Sequence, residues 1–262
     1  MATSVPLQAA SSSGWLVGFR NVVDKEYASW WRTRRWLTHL ILWFVVINAF
    51  IFLVGADGMR RHAPEDVLAE LIEVFLRVGG LWTAIGIVVS TQSAVLGERQ
   101  LGTAQWVLSK PLTRPAFLLS KLLVNGLSFL FLAVLIPTVV FFLQTLWHAL
   151  SQPQLGPFLA GMLFHVEHLV FYLALTLALG TFFTSRGPVS GAAIGFLFAG
   201  FILPNIFPST LEWLPWALPE LSATAALGRP LPVIWYVPVI TTVMWTVLCV
   251  LAALWRFERE EF

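Results

Sequence analysis

The chain has 262 residues, 58% of them hydrophobic and only 11% charged, with a formal net charge of +2 and a mean hydropathy of +0.79. A soluble domain carries about 25% charge, so a water-facing surface is excluded, and the net charge is too small to indicate a partner. The single cysteine, Cys249 in an apolar run, rules out an internal disulfide or a Cys-rich metal site.

Residues 1–14 are expected to be a flexible segment. The first 35 residues contain no long apolar core, so they do not read as a cleavable secretory signal. Residues 15–35 read as an amphipathic helix. Trp15, Leu16, Phe19, Val22, Val23, Tyr27, Trp30 and Trp31 recur at helical spacing, with Arg20, Asp24, Lys25 and Arg32 opposite. Trp and Arg together suit the headgroup zone, with the apolar face toward the acyl chains.

Residues 36–262 read as a transmembrane domain. A helix rising 1.5 Å per residue needs about 20 apolar residues to cross a hydrocarbon layer of about 30 Å. Six stretches qualify, near 36–54, 78–96, 122–147, 158–184, 189–207 and 233–255. Helices are the physical reading, because lipid cannot satisfy open strand edges. Span two begins early, at Pro64, with Glu73 and Arg77 as an i,i+4 pair. Gly187, Gly191 and Gly195 open span five at a spacing that lets helices approach, either between subunits or inside one chain. His39 reads as interfacial, and Asn48 as a packing residue.

Residues 204–232 precede the last span. Seven prolines lie from Pro204 to Pro238, and the stretch around Trp213 and Trp216 is too apolar for a solvated loop. A short helix or re-entrant hairpin in the outer leaflet fits both facts.

Twelve of the 16 Lys and Arg fall on one side of this plan. Positive charge marks the cytoplasm, so both termini are expected inside. Trp36 and Trp255 then sit at the inner interface, Trp147 and Trp235 at the outer.

Residues 97–121 form the longest cytoplasmic connection. Leu101, Ala104, Val107 and Leu108 lie on one side of a short helix that Pro111 ends. Glu98, Gly102-Thr103, Leu108-Ser109, Pro111, Thr113-Arg114 and the later Lys121 resemble the permease subunits of ABC-2 type ABC exporters. The resemblance covers nearly the whole chain and implies the all-α, six-helix integral membrane fold of type V exporters, with an N-terminal interfacial helix and a broken outer hairpin. It implies a permease dimer, most simply a homodimer, in a prokaryotic plasma or inner membrane, with two copies of an ATP-binding subunit docked beneath it. Coupling would fall to Glu98, Arg99, Leu101, Gly102, Thr103, Trp106, Leu108, Pro111 and Arg114. Some relatives carry a large outer domain, for which this chain has no room.

The only lysines are Lys25, Lys110 and Lys121, and none follows glycine. A phosphate-binding loop needs Gly-Lys-Ser/Thr. No cofactor is therefore expected in this chain, with ATP and Mg expected on the partner. His165, Glu167 and His168 in span four are the candidate intramembrane groups. They read as a substrate or gating contact with Trp213 and Trp216, as a metal or proton site, or as a hydrated structural cluster at the outer boundary. No catalytic constellation is expected. The spans otherwise lack charge, which points to an apolar or amphiphilic cargo. Two other readings remain: a proton-coupled secondary transporter using Glu167 and the histidines, and a membrane-embedded lipid-modifying enzyme.

Overall fold

A computed structural model describes residues 14–100 and 112–259. The described residues form helices and turns, with no strand among them, and six helices are long and apolar enough to span a membrane. A short helix, α1 (Phe19–Trp31), precedes them. The spans are α2 (Arg35–Arg61), α3 (Pro64–Glu98), α4 (Arg114–His148), α5 (Leu155–Phe182), α6 (Arg186–Ile206) and α9 (Tyr236–Glu258). Between α6 and α9 lie α7 (Thr210–Trp213), a single 3-10 turn (Pro215–Ala217) and α8 (Leu218–Ala226).

Several helices outrun the apolar stretches that mark them. α3 and α4 have 35 residues each, about 50 Å of helix against about 30 Å of hydrocarbon. α2 continues past residue 54 to Arg61, its last turn held by the Asp57–Arg61 pair at 3.1 Å. α3 starts at Pro64 with Glu65 and Asp66 in its first turn, where acidic groups suit the helix dipole.

α2, α3 and α4 each contain a widened π segment: Phe44–Ala49, Val74–Val78 and Leu130–Leu135. In α2 the Asn48 carbonyl accepts a hydrogen bond from Gln144 Nε2 of α4 at 3.0 Å. Asn48 thus joins two spans through its backbone, while its side-chain amide is buried without a hydrogen bond.

The core is built around α5. In its apolar window 61% of residues are buried, against 17% in α6. Phe75, Phe141 and Phe158 stack between α3, α4 and α5. The Gly187, Gly191 and Gly195 stripe of α6 is open: a Cβ on any of them would meet nothing within 4 Å. Among the described residues, nothing packs closely on that stripe.

At the face opposite α1, ion pairs join α3 to the broken segment. Arg229 reaches Glu73 at 2.7 Å, and Arg77 reaches Glu73 at 3.7 Å and Glu220 at 2.8 Å. Arg229 is half exposed, so Arg229→Ala should cost under about 1 kcal/mol. Arg77→Met should cost more, because it leaves Glu73 and Glu220 without the cation they share. Thermal melting of both variants in nanodiscs checks that order.

Candidate functional site

The densest polar contacts lie where α1, the end of α3 and the start of α4 meet. α1 presents one buried stripe, Val22, Glu26 and Trp30, spaced four residues apart on one helix face. That stripe faces protein, while Trp15 and Tyr27 stay exposed. The helix is amphipathic as its spacing predicts. Trp30 and Glu26 find partners on α4.

Lys121 is the centre of this site. It lies two turns into α4 and is 2% exposed. Its Nζ is 2.6 Å from Glu26 Oε1 and 2.7 Å from Glu98 Oε1. Lys25 approaches Glu98 at 3.0 Å from the solvent side. Lys121 thus pairs with both carboxylates, and Lys25 with Glu98. A buried ammonium is tolerated only when paired and hydrogen-bonded, and here the partners come from two other helices. The Phe117 ring centroid lies 4.8 Å from Nζ, an added cation–π contact.

The next turn of α4 extends the contact. Asn125 Nδ2 donates to the Lys121 carbonyl at 2.7 Å, and Trp30 Nε1 donates to Asn125 Oδ1 at 3.0 Å. Arg35 lies 4.0 Å over the Trp30 ring and donates to the Ser90 carbonyl. Trp30→Phe keeps the packing but strands the Asn125 oxygen, so it should cost about 1–2 kcal/mol. Equilibrium unfolding of the two chains compares them.

The segment before α1 and the end of α9 both meet the chain where α4 begins. The Thr113 N–H donates to the Val17 carbonyl at 3.1 Å, and its hydroxyl donates to the Trp15 carbonyl. Arg114 donates to the carbonyls of Phe257, at 2.9 Å, and Glu258. A cation at those carbonyls satisfies the C-terminus of α9.

Of the sequence-predicted coupling residues, Glu98 and Arg114 stand in this site. Leu101, Gly102, Thr103, Trp106, Leu108 and Pro111 lie outside the described residues, as does the Arg99 side chain. Glu26 and Lys25 were missed as partners. The signal for Glu26 was available: a carboxylate placed on the stripe that Val22 and Trp30 define.

The second candidate group lies toward the opposite face. His165 and His168 are 4% and 2% exposed, so neighbouring side chains cover both rings. Helix counting gives depth but not what packs at that depth. His165 stacks on Phe75 at 6.3 Å between centroids and sits against Gly80. His168 lies edge-on to Tyr172 at 4.9 Å. Glu167 is half-buried on another side. No three His, Cys, Asp or Glu side chains gather as a metal site among the described residues. Trp216 is half-buried and donates to the Phe196 carbonyl at 3.1 Å. Trp213 is exposed, and its carbonyl accepts from Trp245 Nε1 at 3.0 Å.

Long apolar helices whose charges collect at their two ends define a multi-pass membrane protein. A family model for ABC-2 family transporter proteins matches residues 20–262, and the chain belongs to that family. It is therefore a permease component of an ABC transporter in the cell membrane. An uncharacterized transmembrane protein, YxlG of Bacillus subtilis (strain 168), is 22% identical over 210 residues, covering 78% of this chain and 79% of its own.

Proposed function

We propose that the chain is the transmembrane subunit of an ATP-driven exporter, working as a homodimer on two separate ATP-binding subunits. Residues 97–121 are the coupling segment, and the face holding both chain ends is cytoplasmic. ATP and Mg belong to the partner, and this chain contributes no catalytic group.

One observation carries this reading. Glu98 opens the segment and Lys121 closes it, and they meet at 2.7 Å with Glu26 of α1 on the same ammonium. A push on the segment is thus delivered to α1, α3 and α4 together. The open glycine stripe on α6 supports a subunit contact there, since small residues allow close helix approach. The near absence of charge inside the spans supports an apolar or amphiphilic cargo.

Affinity purification of the tagged chain should bring down an ATP-binding subunit. Replacing residues 98–108 with a Gly-Ser linker should abolish both the complex and ATP-dependent export from vesicles. Export without any ATP-binding chain that collapses with the proton gradient overturns the proposal and favours proton coupling.

A further inference from the structure

Glu167 is the single Asp, Glu, Lys or Arg of α5. We propose that its carboxylate receives the protonated amine of a cationic amphiphile entering sideways from the bilayer, with the amphiphile's chain lying in the neighbouring cleft between α4 and α5. The proposal deepens the reading of an amphiphilic cargo and rests on it only for the occupant's transport.

Depth sets the problem. Glu167 lies near the middle of α5, about 18 Å of helix from Leu155 and about 22 Å from Phe182. That position falls within a hydrocarbon layer about 30 Å thick. An ionisable group there is costly and marks a functional position.

The carboxylate has no partner within the chain. Its Oε1 is buried without a hydrogen bond, and no cation or donor among the described residues reaches either oxygen. Oε2 stays accessible on the half-buried residue. The two histidines do not supply the charge. Their rings pack on Phe75 and Tyr172, and helical spacing puts them on other sides of α5.

Access is from the lipid. Leu163 and Val170 share the face of Glu167, one turn before it and one turn after, and are 72% and 40% exposed. Beside them Leu159 and Val166 line a cleft of about 750 Å³, whose other wall includes Leu130, Phe131 and Val134 of α4. Ligand sites for drug-sized molecules hold about 300–1,000 Å³. The cleft takes an apolar body while the carboxylate stands one helical row away.

Chemistry selects the occupant. A purely apolar molecule gains nothing from the carboxylate, and an anion is repelled. A divalent metal ion needs several oxygen ligands, and the flanking side chains are leucine and valine. A protonated amine donates N–H to the carboxylate in a charge-assisted hydrogen bond, and its own chain covers the pair.

The test uses the full chain in phosphatidylcholine nanodiscs without any ATP-binding subunit. The probe is dodecylamine carrying a diazirine on its chain, with cross-linked peptides mapped by mass spectrometry. Label should concentrate on the peptides holding Phe131, Leu159 and Leu163. Unlabelled dodecylamine should displace it, and dodecanol and dodecyl phosphate should not. Glu167→Gln should weaken labelling about tenfold to a hundredfold, the worth of a hydrogen bond to a charged group. Glu167→Asp, which keeps the charge, should lose less. The competition on the unaltered chain needs no variant to fold.

Displacement by dodecanol as complete as by dodecylamine means an apolar cleft without charge recognition and overturns the proposal. Labelling unchanged by Glu167→Gln overturns it too. If the unaltered chain takes no label there and Leu163→Cys cross-links two copies, a second copy covers this face, and the proposal falls. None of these failures touches co-purification with an ATP-binding subunit.

Discussion

Lys121→Met should release α1 from the transmembrane helices and cost about 3–5 kcal/mol, the usual consequence of removing one partner from a buried ion pair. The substitution keeps most of the apolar stem but removes the ammonium. Glu26 then loses its partner at 2.6 Å while remaining 7% exposed. Glu98 is better placed, because Lys25 remains 3.0 Å away. The damage should therefore appear first in α1. Backbone hydrogen exchange over residues 19–31 should lose protection, while α5 keeps its own.

A companion variant separates charge from packing. Lys121→Met with Glu26→Gln removes the ammonium and the stranded carboxylate together, and should recover most of the lost protection. Glu26→Gln alone should be mild, since Lys121 keeps Glu98 at 2.7 Å. Unchanged exchange in α1 after Lys121→Met would show that the charge cluster does not hold the helix.

The second large effect is expected at Gly161. α8 lies so close to α5 that a Cβ on Gly161 would run into the Ser222 carbonyl, with the Ala226 Cβ at 2.7 Å and the Ala226 nitrogen at 3.0 Å. The obstacles are largely backbone, which cannot rotate away as a side chain can. Ordinary overpacking costs about 1–3 kcal/mol, and Gly161→Leu should reach or exceed the top of that range. α8 would have to lift off, breaking the hydrogen bond from Ser222 Oγ to the Gly161 carbonyl at 2.8 Å. It would also expose Leu218, Leu221 and Ala225, which are buried with Phe164. Ala223 is fully buried and reports the event. Ala223→Cys should resist maleimide in the parent chain and react in Gly161→Leu. Equal reactivity in both would mean that α8 tolerates the added side chain.

The membrane plan was legible because it depends on composition over long windows. About 20 apolar residues mark a span wherever its neighbours lie. The early start of α3 at Pro64 was legible, whereas the extension of α2 to Arg61 was less visible. The first follows from a proline at a helix start, the second from local support such as the Asp57–Arg61 pair. The terminal-face site was half legible. Glu98, Arg114 and Lys121 stood out as charges flanking a proline-ended segment. Glu26 did not, because a carboxylate in an amphipathic helix reads as solvated until its partner, 95 residues away, is known. The histidines show the same limit. Adjacency along α5 placed His165 and His168 on one helix. It could not reveal that Phe75 and Gly80 cover one while the other borders a cavity.

The three π segments bear on how motion could cross the bilayer. A π turn holds one residue more than an α turn. Passing that residue along the helix moves the wide turn without unwinding the rod. Each step re-aims the side chains it crosses by about 100°, the angle between successive residues. In α4 the wide turn at Leu130–Leu135 lies between Lys121 at one end and His148 at the other. One half of that helix can thus twist against the other with its backbone hydrogen bonds exchanged rather than lost. A π segment at that position would serve as a torsional joint where a straight helix would be a rigid strut.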